Sequence, residues 1–568
     1  MKKLIKEKTK TLIQPQHYSK KEITLCILLL AAITFAAFSS SLGNDFTNWD
    51  DDKYVTENSS IQKLDGEHLK QIFTSIVTKT YSPLTVLSFA IEYHFFQLTP
   101  LYYILDNIIL HIAIVALIFL FALQLGLSTT AAFLGAFLFG IHPMHVESVV
   151  WITERKDTLY AFFYMLALCS YMTFLKTEKK RWFALSLLTG LLSMLAKAMA
   201  LSLPLVLLLL DWFYGRKFSK KLLFEKIPYF LYIIPLMFVT YLEHARVPIS
   251  DFIEGGMIWI WSFTFNFKKF FWPYWLCPIY NVPRPANFTN LEYNFAFIMI
   301  MVFIYLLIRF RKDRWFIFAS FFYIFSVFFL VRMKQEIHAS TVADRFMYLP
   351  SLGICLWLGK VFADRLLKSS QIRWKKYLFF FLLGSLFLTL SVKTYYQSLI
   401  WKDSTTLWDT VLKRSPTSTA YHNRGLLYKD AGDEEKALEF FQKTIDLLPT
   451  HHLATSDIGS IYMNRKQYDL ALKMFDRVLE LEPKYFKAYH NKSYIYLKLK
   501  KFDLALENCL KGIAINPKEE GIYANCSTSS FYLGNYPEAM EYAKKAQSLG
   551  YRFRQQYLND LKDKLNSN

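Results

Sequence analysis

Three consecutive carboxylates are the first residues in the chain whose types and spacing could do chemistry. Asp50, Asp51 and Asp52 lie in the stretch "NWDDDKYVTEN" (48–58), about eight residues after an apolar run that ends at Leu42. Like charges this close repel each other, which raises the pKa of one carboxylate and helps it to accept a proton. Such a group could act as a general base or bind a divalent cation. The alternative is a solvated loop or a helix start, where Asp is also favoured.

Further ionisable residues gather in the stretches "IHPMHVESVVWITERKD" (141–157), "LAKAMALSLP" (195–204) and "STVADRFMYLP" (340–350). Charged groups beside apolar runs are costly unless they are paired or hydrated, so each is a functional candidate. Their cations could neutralise a phosphate, and Arg offers bidentate geometry. The alternatives are structural ion pairs, membrane-edge anchors and, for the histidines, packing rather than metal binding. The candidates are His142, His145, Glu147, Glu154, Arg155, Lys156, Asp157, Lys197, Asp344 and Arg345.

The elements that carry these residues are predicted to be membrane-spanning helices. The chain is 53% hydrophobic and 18% aromatic, and Ile23–Leu42 runs for twenty residues without a charge, enough to cross a bilayer. We expect an all-α polytopic membrane domain over 23–397 with about eleven spans, and an interfacial helix within 257–280. The remaining apolar runs lie at 103–124, 131–141, 158–175, 183–197, 199–212, 227–243, 293–308, 315–331, 346–359 and 377–395.

The distribution of charge predicts which side of the membrane each loop occupies. The segments 1–22, 176–181, 213–226, 309–314 and 360–376 together hold 26 Lys and Arg against 6 Asp and Glu, which accounts for the whole net charge of +20. With eleven spans all five lie on one side, the cytoplasm by the positive-inside rule. The remainder of the chain sums to zero, so no nucleic-acid partner is expected. The other side, periplasmic if the chain sits in a bacterial inner membrane, receives 43–100, 142–156, 244–292, 332–345 and everything after about residue 396.

A period of 34 residues marks the C-terminal part of the chain. Ala437, Ala471, Ala505 and Ala539 share this spacing, as do Pro449, Pro483 and Pro517. The pattern resembles the tetratricopeptide repeat, and four repeats fit within 418–551. Such repeats stack into a solenoid whose groove binds an extended peptide or a partner protein, although a structural spacer is the alternative. Residues 398–417 are then a linker, and 552–568 a C-terminal tail.

The six cysteines show no metal-ligand spacing. We expect them to be thiols in spans and helix cores.

Several motifs in order resemble the membrane glycosyltransferases of type C fold that carry C-terminal tetratricopeptide repeats, the transmembrane-and-tetratricopeptide-repeat O-mannosyltransferases. The resemblance implies that Asp50 and Asp51 form an acidic pair needed for transfer, with Asp52 an extra acid and Tyr81 a further site candidate. It also implies a polyprenyl-phosphate sugar as donor, inverting transfer to Ser or Thr hydroxyls, and no tightly bound cofactor. The motifs are "NWDDDKYVTEN" (48–58), "YSPLTVLSF" (81–89), "HPMHVESVVWITERKD" (142–157), "AKAMALSLPLVLLLLD" (196–211), "WPYWLCPIY" (272–280) and "ADRFMYLPSLG" (343–353).

A general base beside a phosphate clamp at a membrane surface suits transfer of a sugar from a lipid-phosphate donor to an acceptor hydroxyl. In this interpretation Arg155, Lys156, Lys197 and Arg345 bind the donor phosphate, and the repeats bind the acceptor protein. Two rival functions stay open. One is a membrane-anchored scaffold without catalysis, and the other is a lipid-linked sugar transferase with a glycan acceptor. A transporter is disfavoured, because the polar residues collect at one membrane face rather than at the midplane.

Overall fold

The computed structural model describes residues 19–78, 80–244, 252–328, 341–369 and 373–567. Within these ranges the secondary structure is helical, and the one β-type contact is an isolated bridge between Val77 and Thr80. This agrees with the predicted all-α fold. The chain divides into two compact units, Met1–Ser415 and Pro416–Asn568. Parts of six segments assigned to a side of the membrane lie outside the described residues, namely 1–18, 79, 245–251, 332–340, 370–372 and 568.

Each of the eleven apolar runs overlaps a helix of the first unit among the described residues. A helix satisfies its backbone hydrogen bonds within the segment, which is why long apolar runs adopt it. The helices of this unit are α1 Lys20–Phe38, α2 Gly66–Thr74, α3 Pro83–Phe96, α4 Pro100–Gln124, α5 Thr129–Gly140, α6 Val146–Val150, α7 Arg155–Thr177, α8 Lys180–Ala196, α9 Leu203–Phe213, α10 Lys220–Phe224, α11 Ile227–His244, α12 Phe252–Phe271, α13 Leu291–Arg309, α14 Arg314–Phe328, α15 Ser351–Ser369, α16 Arg373–Ser398 and α17 Ser404–Arg414.

The expected count of eleven spans is not confirmed. Among the described residues, 5 helical segments are long and apolar enough to cross a membrane, or 6 if the bent pair Thr129–Gly140 and Pro143–Val150 forms one span. Several of the other runs form shorter helices, such as Leu203–Phe213 and Arg314–Phe328. The multi-pass character of the chain therefore holds, while the number of crossings is smaller by this measure. The expected interfacial helix within 257–280 is in part α12, which ends at Phe271.

Small residues allow α15 to pack tightly against α5. At Gly359 of α15, an added Cβ would lie 2.5 Å from the carbonyl oxygen of Ala131 and 2.5 Å from the backbone nitrogen of Gly135, both on α5. Membrane helices commonly approach each other through such small residues, because dispersion contacts replace the hydrophobic effect there. This contact fixes α5, whose C-terminal end leads directly into the polar stretch 141–157.

The stretch 398–417, interpreted from the sequence as a linker, is a packed part of the first unit. A 3₁₀ turn at Leu399–Trp401 leads into α17. Its backbone and side chains hold the loop that follows α1: Asn44 Nδ2 donates to the carbonyl of Ser398 at 3.0 Å, and the backbone N–H of Asp45 donates to the carbonyl of Lys402 at 2.7 Å. Only about the last two residues of the proposed linker belong to the second unit.

The second unit consists of the predicted helix pairs followed by one further helix. The Ala residues of the period, Ala437, Ala471, Ala505 and Ala539, are fully buried where the helices of a pair cross. The C-terminal tail is helical over Gln555–Ser567 and packs Leu561 on the last pair. The helices are α18 Ser418–Asp430, α19 Glu434–Leu447, α20 His452–Asn464, α21 Tyr468–Leu481, α22 Phe486–Lys498, α23 Phe502–Ile515, α24 Glu520–Tyr532, α25 Tyr536–Ser548 and α26 Gln555–Ser567.

Two of the six cysteines form a disulfide, against the expectation that all are thiols. Cys509 on α23 and Cys526 on α24 are joined across neighbouring repeats, with their Cα atoms 5.6 Å apart. Their sequence separation matches no repeat signature, so the pairing depends on the stacking of the repeats. The other four cysteines are free.

Candidate active site

Asp51 anchors the loop that follows α1, which we call the first loop (43–100). Its Oδ2 accepts hydrogen bonds from the backbone N–H and hydroxyl of Thr47, at 2.8 and 2.9 Å. Its Oδ1 accepts from the backbone N–H of Thr153 at 3.0 Å and from the Thr153 hydroxyl. Burial raises the pKa of Asp51 to about 6, while the four donors act in the opposite direction. Asp51 thus ties the first loop to the turn that precedes α7.

Asp50 is the more open carboxylate of the pair. Its side chain is 26% exposed, and its Oδ2 lies 3.6 Å from the Nζ of Lys156. The Lys156 ammonium also sits 4.4 Å from the ring centroid of Tyr54 and 3.6 Å from Glu154 Oε1. Burial raises the pKa of Asp50 above its ordinary value, and the charge of Lys156 lowers it in part. A carboxylate that combines partial exposure with a raised pKa is suited to accept a proton from a substrate.

Glu154 joins two of the predicted phosphate-binding cations. Its Oε1 lies 3.6 Å from Lys156 Nζ, and its Oε2 accepts from Lys197 Nζ at 2.8 Å. Lys197 in turn lies 2.7 Å from Asp157 Oδ1, whose second oxygen accepts from the hydroxyl of Ser148 at 2.9 Å. Lys197 interrupts the helical run between α8 and α9, so its ammonium reaches α7 from a break in the chain.

Arg345, about 190 residues after Glu154 in the chain, contacts the same carboxylates. Its guanidinium pairs with Glu147, its backbone N–H donates to Glu147 Oε2 at 3.0 Å, and its Nε lies 3.5 Å from Glu154 Oε1. Next to it, Asp344 accepts a hydrogen bond from the Tyr280 hydroxyl at 2.7 Å. Burial and the charge of Glu147 hold the pKa of Asp344 well above its ordinary value. The charged cluster therefore comprises Asp50, Glu147, Glu154, Lys156, Asp157, Lys197, Asp344 and Arg345.

Four tryptophans hold the first loop beside the charged cluster, and sequence reasoning did not identify them. Trp49 stacks on Trp151 with ring centroids 4.5 Å apart, and Trp151 stacks on Trp401 at 5.2 Å. Trp408 packs on Trp49 at 5.3 Å and donates its Nε1–H to Asn48 Oδ1 at 2.6 Å. The sequence signal for this group was the position of two tryptophans, Trp49 beside the acidic triplet and Trp151 within the stretch 141–157. Their partners Trp401 and Trp408 lie about 350 residues from Trp49 and about 250 residues from Trp151 in the chain.

Arg155 lies away from the charged cluster, although it is adjacent to Lys156 in sequence. Its buried guanidinium pairs with Glu92 at 2.9 Å and Asp106 at 2.9 Å, and donates to the carbonyl of Tyr103 at 2.7 Å. Its Nε also donates to the side chain of Asn107. These contacts join α3, α4 and α7. Arg155 is therefore a structural residue here rather than part of a phosphate clamp.

Four other candidates do not join the charged cluster. His142 and His145 are buried and bond to backbone carbonyls, at 3.0 and 2.7 Å, so their rings are fixed within the packing. Tyr81 donates its hydroxyl to a carbonyl of α2 at 3.0 Å. Asp52 pairs with its neighbour Lys53 at 3.1 Å on the exposed side of the first loop.

A divalent cation at Asp50 and Asp51 does not fit this geometry. Both oxygens of Asp51 already accept two hydrogen bonds each, so they offer no free position to an ion. Among the described residues there is no group of three His, Cys, Asp or Glu arranged to hold a metal.

These features define a class: a multi-pass helical membrane protein with a buried charged cluster and C-terminal helical repeats. The family model described as Tetratricopeptide repeat matches residues 418–451 and 457–485, and a second model of the same description matches 474–507. These matches confirm the predicted tetratricopeptide repeats over 418–507. Among solved structures, "Crystal structure of MamA" is 26% identical over 26% of this chain and 86% of that one, with a TM-score of 0.24.

The curated relatives cover the membrane unit as well. The chain is 24% identical over 513 residues to "Protein O-mannosyl-transferase TMTC3" of Homo sapiens, covering 78% of this chain and 53% of that protein. It is 25% identical over 470 residues to "Protein O-mannosyl-transferase F38B6.6" of Caenorhabditis elegans, covering 77% and 65%. The homologues of this chain are therefore protein O-mannosyl-transferases, as the motifs indicated. The chain spans between half and two thirds of the length of these two relatives.

Proposed function

We propose that the chain transfers a hexose, mannose by the names of its relatives, from a lipid-phosphate-linked donor to Ser or Thr hydroxyls of proteins. The observation that carries this proposal is the position of Asp50, a partly exposed carboxylate 3.6 Å from Lys156 at the edge of a buried charged cluster. Two features of the chain support it. Its relatives carry the name of this activity, and its tetratricopeptide repeats suit an extended polypeptide acceptor.

In the proposed reaction Asp50 acts as the general base. It takes the proton of the acceptor hydroxyl while the hydroxyl oxygen attacks the anomeric carbon of the donor sugar. The bond between that carbon and the phosphate oxygen breaks, and the lipid phosphate leaves with the bonding electrons. Attack opposite to the leaving group inverts the anomeric configuration. The cations nearest Asp50, Lys156 and then Arg345, offset the charge that develops on the phosphate.

We place the reaction on the side of the membrane away from the five basic segments, where the positive-inside rule puts the first loop. The disulfide between Cys509 and Cys526 supports the same side for the repeats, because disulfides persist in oxidising compartments such as the periplasm or the lumen of the endoplasmic reticulum. A lipid-linked donor follows from this placement, since nucleotide sugars are cytoplasmic. No tightly bound cofactor enters the proposed chemistry.

The test compares Asp50→Asn with Asp52→Asn, which removes the same charge two residues away. Cells carrying the wild-type chain or either variant supply secreted and membrane proteins for intact-mass analysis, with each variant matched in abundance. We expect a hexose-sized increment with wild type and with Asp52→Asn, and its loss with Asp50→Asn. Full transfer by Asp50→Asn would refute the role of Asp50. Identical masses in all strains would favour a glycan acceptor or a scaffold.

A further inference from the structure

Trp275 has a left-handed backbone conformation that is unfavourable for a tryptophan. Its φ of 52° lies in the left-handed region, which costs a non-glycine residue free energy, and its side chain is 53% exposed. Lys269 Nζ donates to the carbonyls of Tyr274 and Trp275, at 2.7 and 3.2 Å. On the far side, the carbonyl of Leu276 accepts hydrogen bonds from Arg414 and from Gln397, the latter at 3.2 Å. An exposed tryptophan fixed on a strained backbone from both sides indicates a binding surface.

A cleft of about 570 Å³ opens beside this tryptophan, within the range of small-molecule sites. Apart from Trp275, its walls are side chains of α17: Thr406, Asp409, Thr410, Lys413 and Arg414. The cleft thus combines one aromatic face with hydroxyl, carboxylate and ammonium groups.

The same helix also holds the proposed catalytic loop. The hydroxyl of Ser404 accepts the backbone N–H of Asn48 at 2.9 Å, and Trp408 donates to the Asn48 side chain. On the other wall, Tyr280 lies five residues after Trp275 and donates to Asp344 of the charged cluster. Both walls of the cleft are therefore fixed to elements that position the charged cluster.

We propose that this cleft binds a hexopyranose ring. Such a ring has a face of C–H groups that packs on an indole, and hydroxyl groups at its edge that need hydrogen-bond partners. Trp275 offers the apolar face, Asp409 and the two threonines accept from hydroxyl groups, and Lys413 donates.

The identity of the hexose as mannose rests on the proposed function; the class of ligand rests on the cleft alone. Two sources supply the same chemistry: the sugar of the lipid-linked donor, or a mannose already attached to an acceptor. The competing explanation for Trp275 is an anchor at the membrane–water interface, where tryptophans are enriched. Trp272 is 72% exposed and lies in the same motif, yet it does not line the cleft, so it is the matched control.

The test measures binding of methyl α-mannopyranoside to the full chain in lipid nanodiscs by saturation-transfer NMR, because maltoside detergents carry sugars that would compete. The variants are Trp275→Asn, which tolerates the left-handed backbone, Asp409→Asn, and the control Trp272→Asn. We expect binding by wild type and by Trp272→Asn, and at least a tenfold weaker Kd for Trp275→Asn. Asp409→Asn should weaken binding by a smaller factor.

Equal binding by Trp275→Asn and Trp272→Asn, or no binding by wild type, would overturn the proposal. Displacement of the mannoside by an O-mannosyl-threonine peptide would identify the acceptor as the source, and displacement by polyprenyl-phosphate mannose would identify the donor. The readout does not depend on transfer. A chain that binds sugar through Trp275 but glycosylates no protein would retain this inference and refute the proposed function, and the reverse result would do the opposite.

Discussion

Replacing Asp51 with Asn separates the two roles assigned to the acidic pair. The carboxylate accepts four hydrogen bonds, from the backbone N–H and hydroxyl groups of Thr47 and Thr153. An amide has one oxygen to accept them, and its NH₂ must face one of the two threonines. That threonine can turn its hydroxyl to accept from the NH₂, but its backbone N–H cannot turn. Asp51→Asn therefore leaves one buried backbone donor facing another donor.

The magnitude follows from that single unsatisfied group. A buried donor without a partner costs about 1–3 kcal/mol, which the first loop can relieve by moving away from α7. Such a cost raises the ratio of displaced to bound first loops by about 5- to 150-fold. The fraction of chains with Asp50 in place therefore falls by at most that factor. Asp50→Asn instead removes the proposed base, and loss of general base catalysis costs about 10²- to 10⁴-fold. We expect Asp51→Asn to retain more activity than Asp50→Asn.

The assay is initial-rate transfer of mannose to a Thr-containing peptide by the full chain, with limited proteolysis of the first loop as a second readout. Asp51→Asn should lower the rate and expose the first loop to protease, whereas Asp50→Asn should lower the rate further and leave the loop protected. The reasoning would be refuted by an Asp51→Asn variant that loses as much activity as Asp50→Asn while its first loop stays protected. In that case Asp51 would be the better candidate for the base.

Three further predictions concern the pH profile, the membrane unit and the repeats. Transfer should fall as the pH drops through the raised pKa of Asp50. Lys156→Met should move this fall to higher pH in a kcat/KM profile, because it removes the charge that lowers the pKa of Asp50. An unmoved profile would contradict the pairing of Asp50 with Lys156. Gly359→Ala should cost about 1–3 kcal/mol by overpacking and lower Tm, while the control Gly384→Ala, with nothing within 4 Å of its Cβ, should not. Cys509→Ser should destabilise the repeats by about 3 kcal/mol, because it removes the disulfide with Cys526. The measurement is the urea concentration at which the repeats of the full chain become sensitive to protease, which should fall. A reductant should cause the same fall in wild type and none in the variant.

Helices and repeats were predictable because their causes are local. Each apolar run must form its hydrogen bonds within itself, and the 34-residue period places a small residue at every helix crossing. The span count was less predictable. Hydropathy marks apolar segments but not the length of the helix within them: the run 199–212 starts in a 3₁₀ turn, Ala198–Ser202, and α9 is only Leu203–Phe213.

The roles within the candidate site depend on contacts that sequence spacing cannot reveal. Asp50 and Asp51 are neighbours in the chain, but only Asp51 meets Thr153, 102 residues away. Arg155 and Lys156 are also neighbours, but successive side chains on α7 point in different directions. Arg155 therefore pairs with Glu92, whereas Lys156 pairs with Asp50. The helix within 398–417 buries Leu407, Trp408 and Val411 at helical spacing, but this pattern does not say what they pack against, so its part in holding the first loop becomes visible only in the fold.

The balance of charge in the cluster constrains how a donor phosphate could bind there. Five carboxylates, Asp50, Glu147, Glu154, Asp157 and Asp344, face three cations, Lys156, Lys197 and Arg345, each of which is already paired. Even with Asp344 protonated, as its raised pKa favours, four carboxylates face these three cations, so an additional anion would meet a net negative site unless a second carboxylate is neutralised.

The proposed reaction removes one carboxylate charge during transfer, in the step in which the leaving phosphate gains one. When Asp50 accepts the proton of the acceptor hydroxyl, Lys156 loses the partner at 3.6 Å on one side of its ammonium. The leaving phosphate gains negative charge in the same step, so one cation can serve the carboxylate before transfer and the phosphate after it. Because a buried pair is stronger than an exposed one, this exchange requires that Asp50 lie at the edge of the cluster rather than inside it, as its 26% exposure allows. Glu154 is less suited to that part, since it is buried and contacts three cations, Lys156, Lys197 and Arg345, whose charges favour its ionised form.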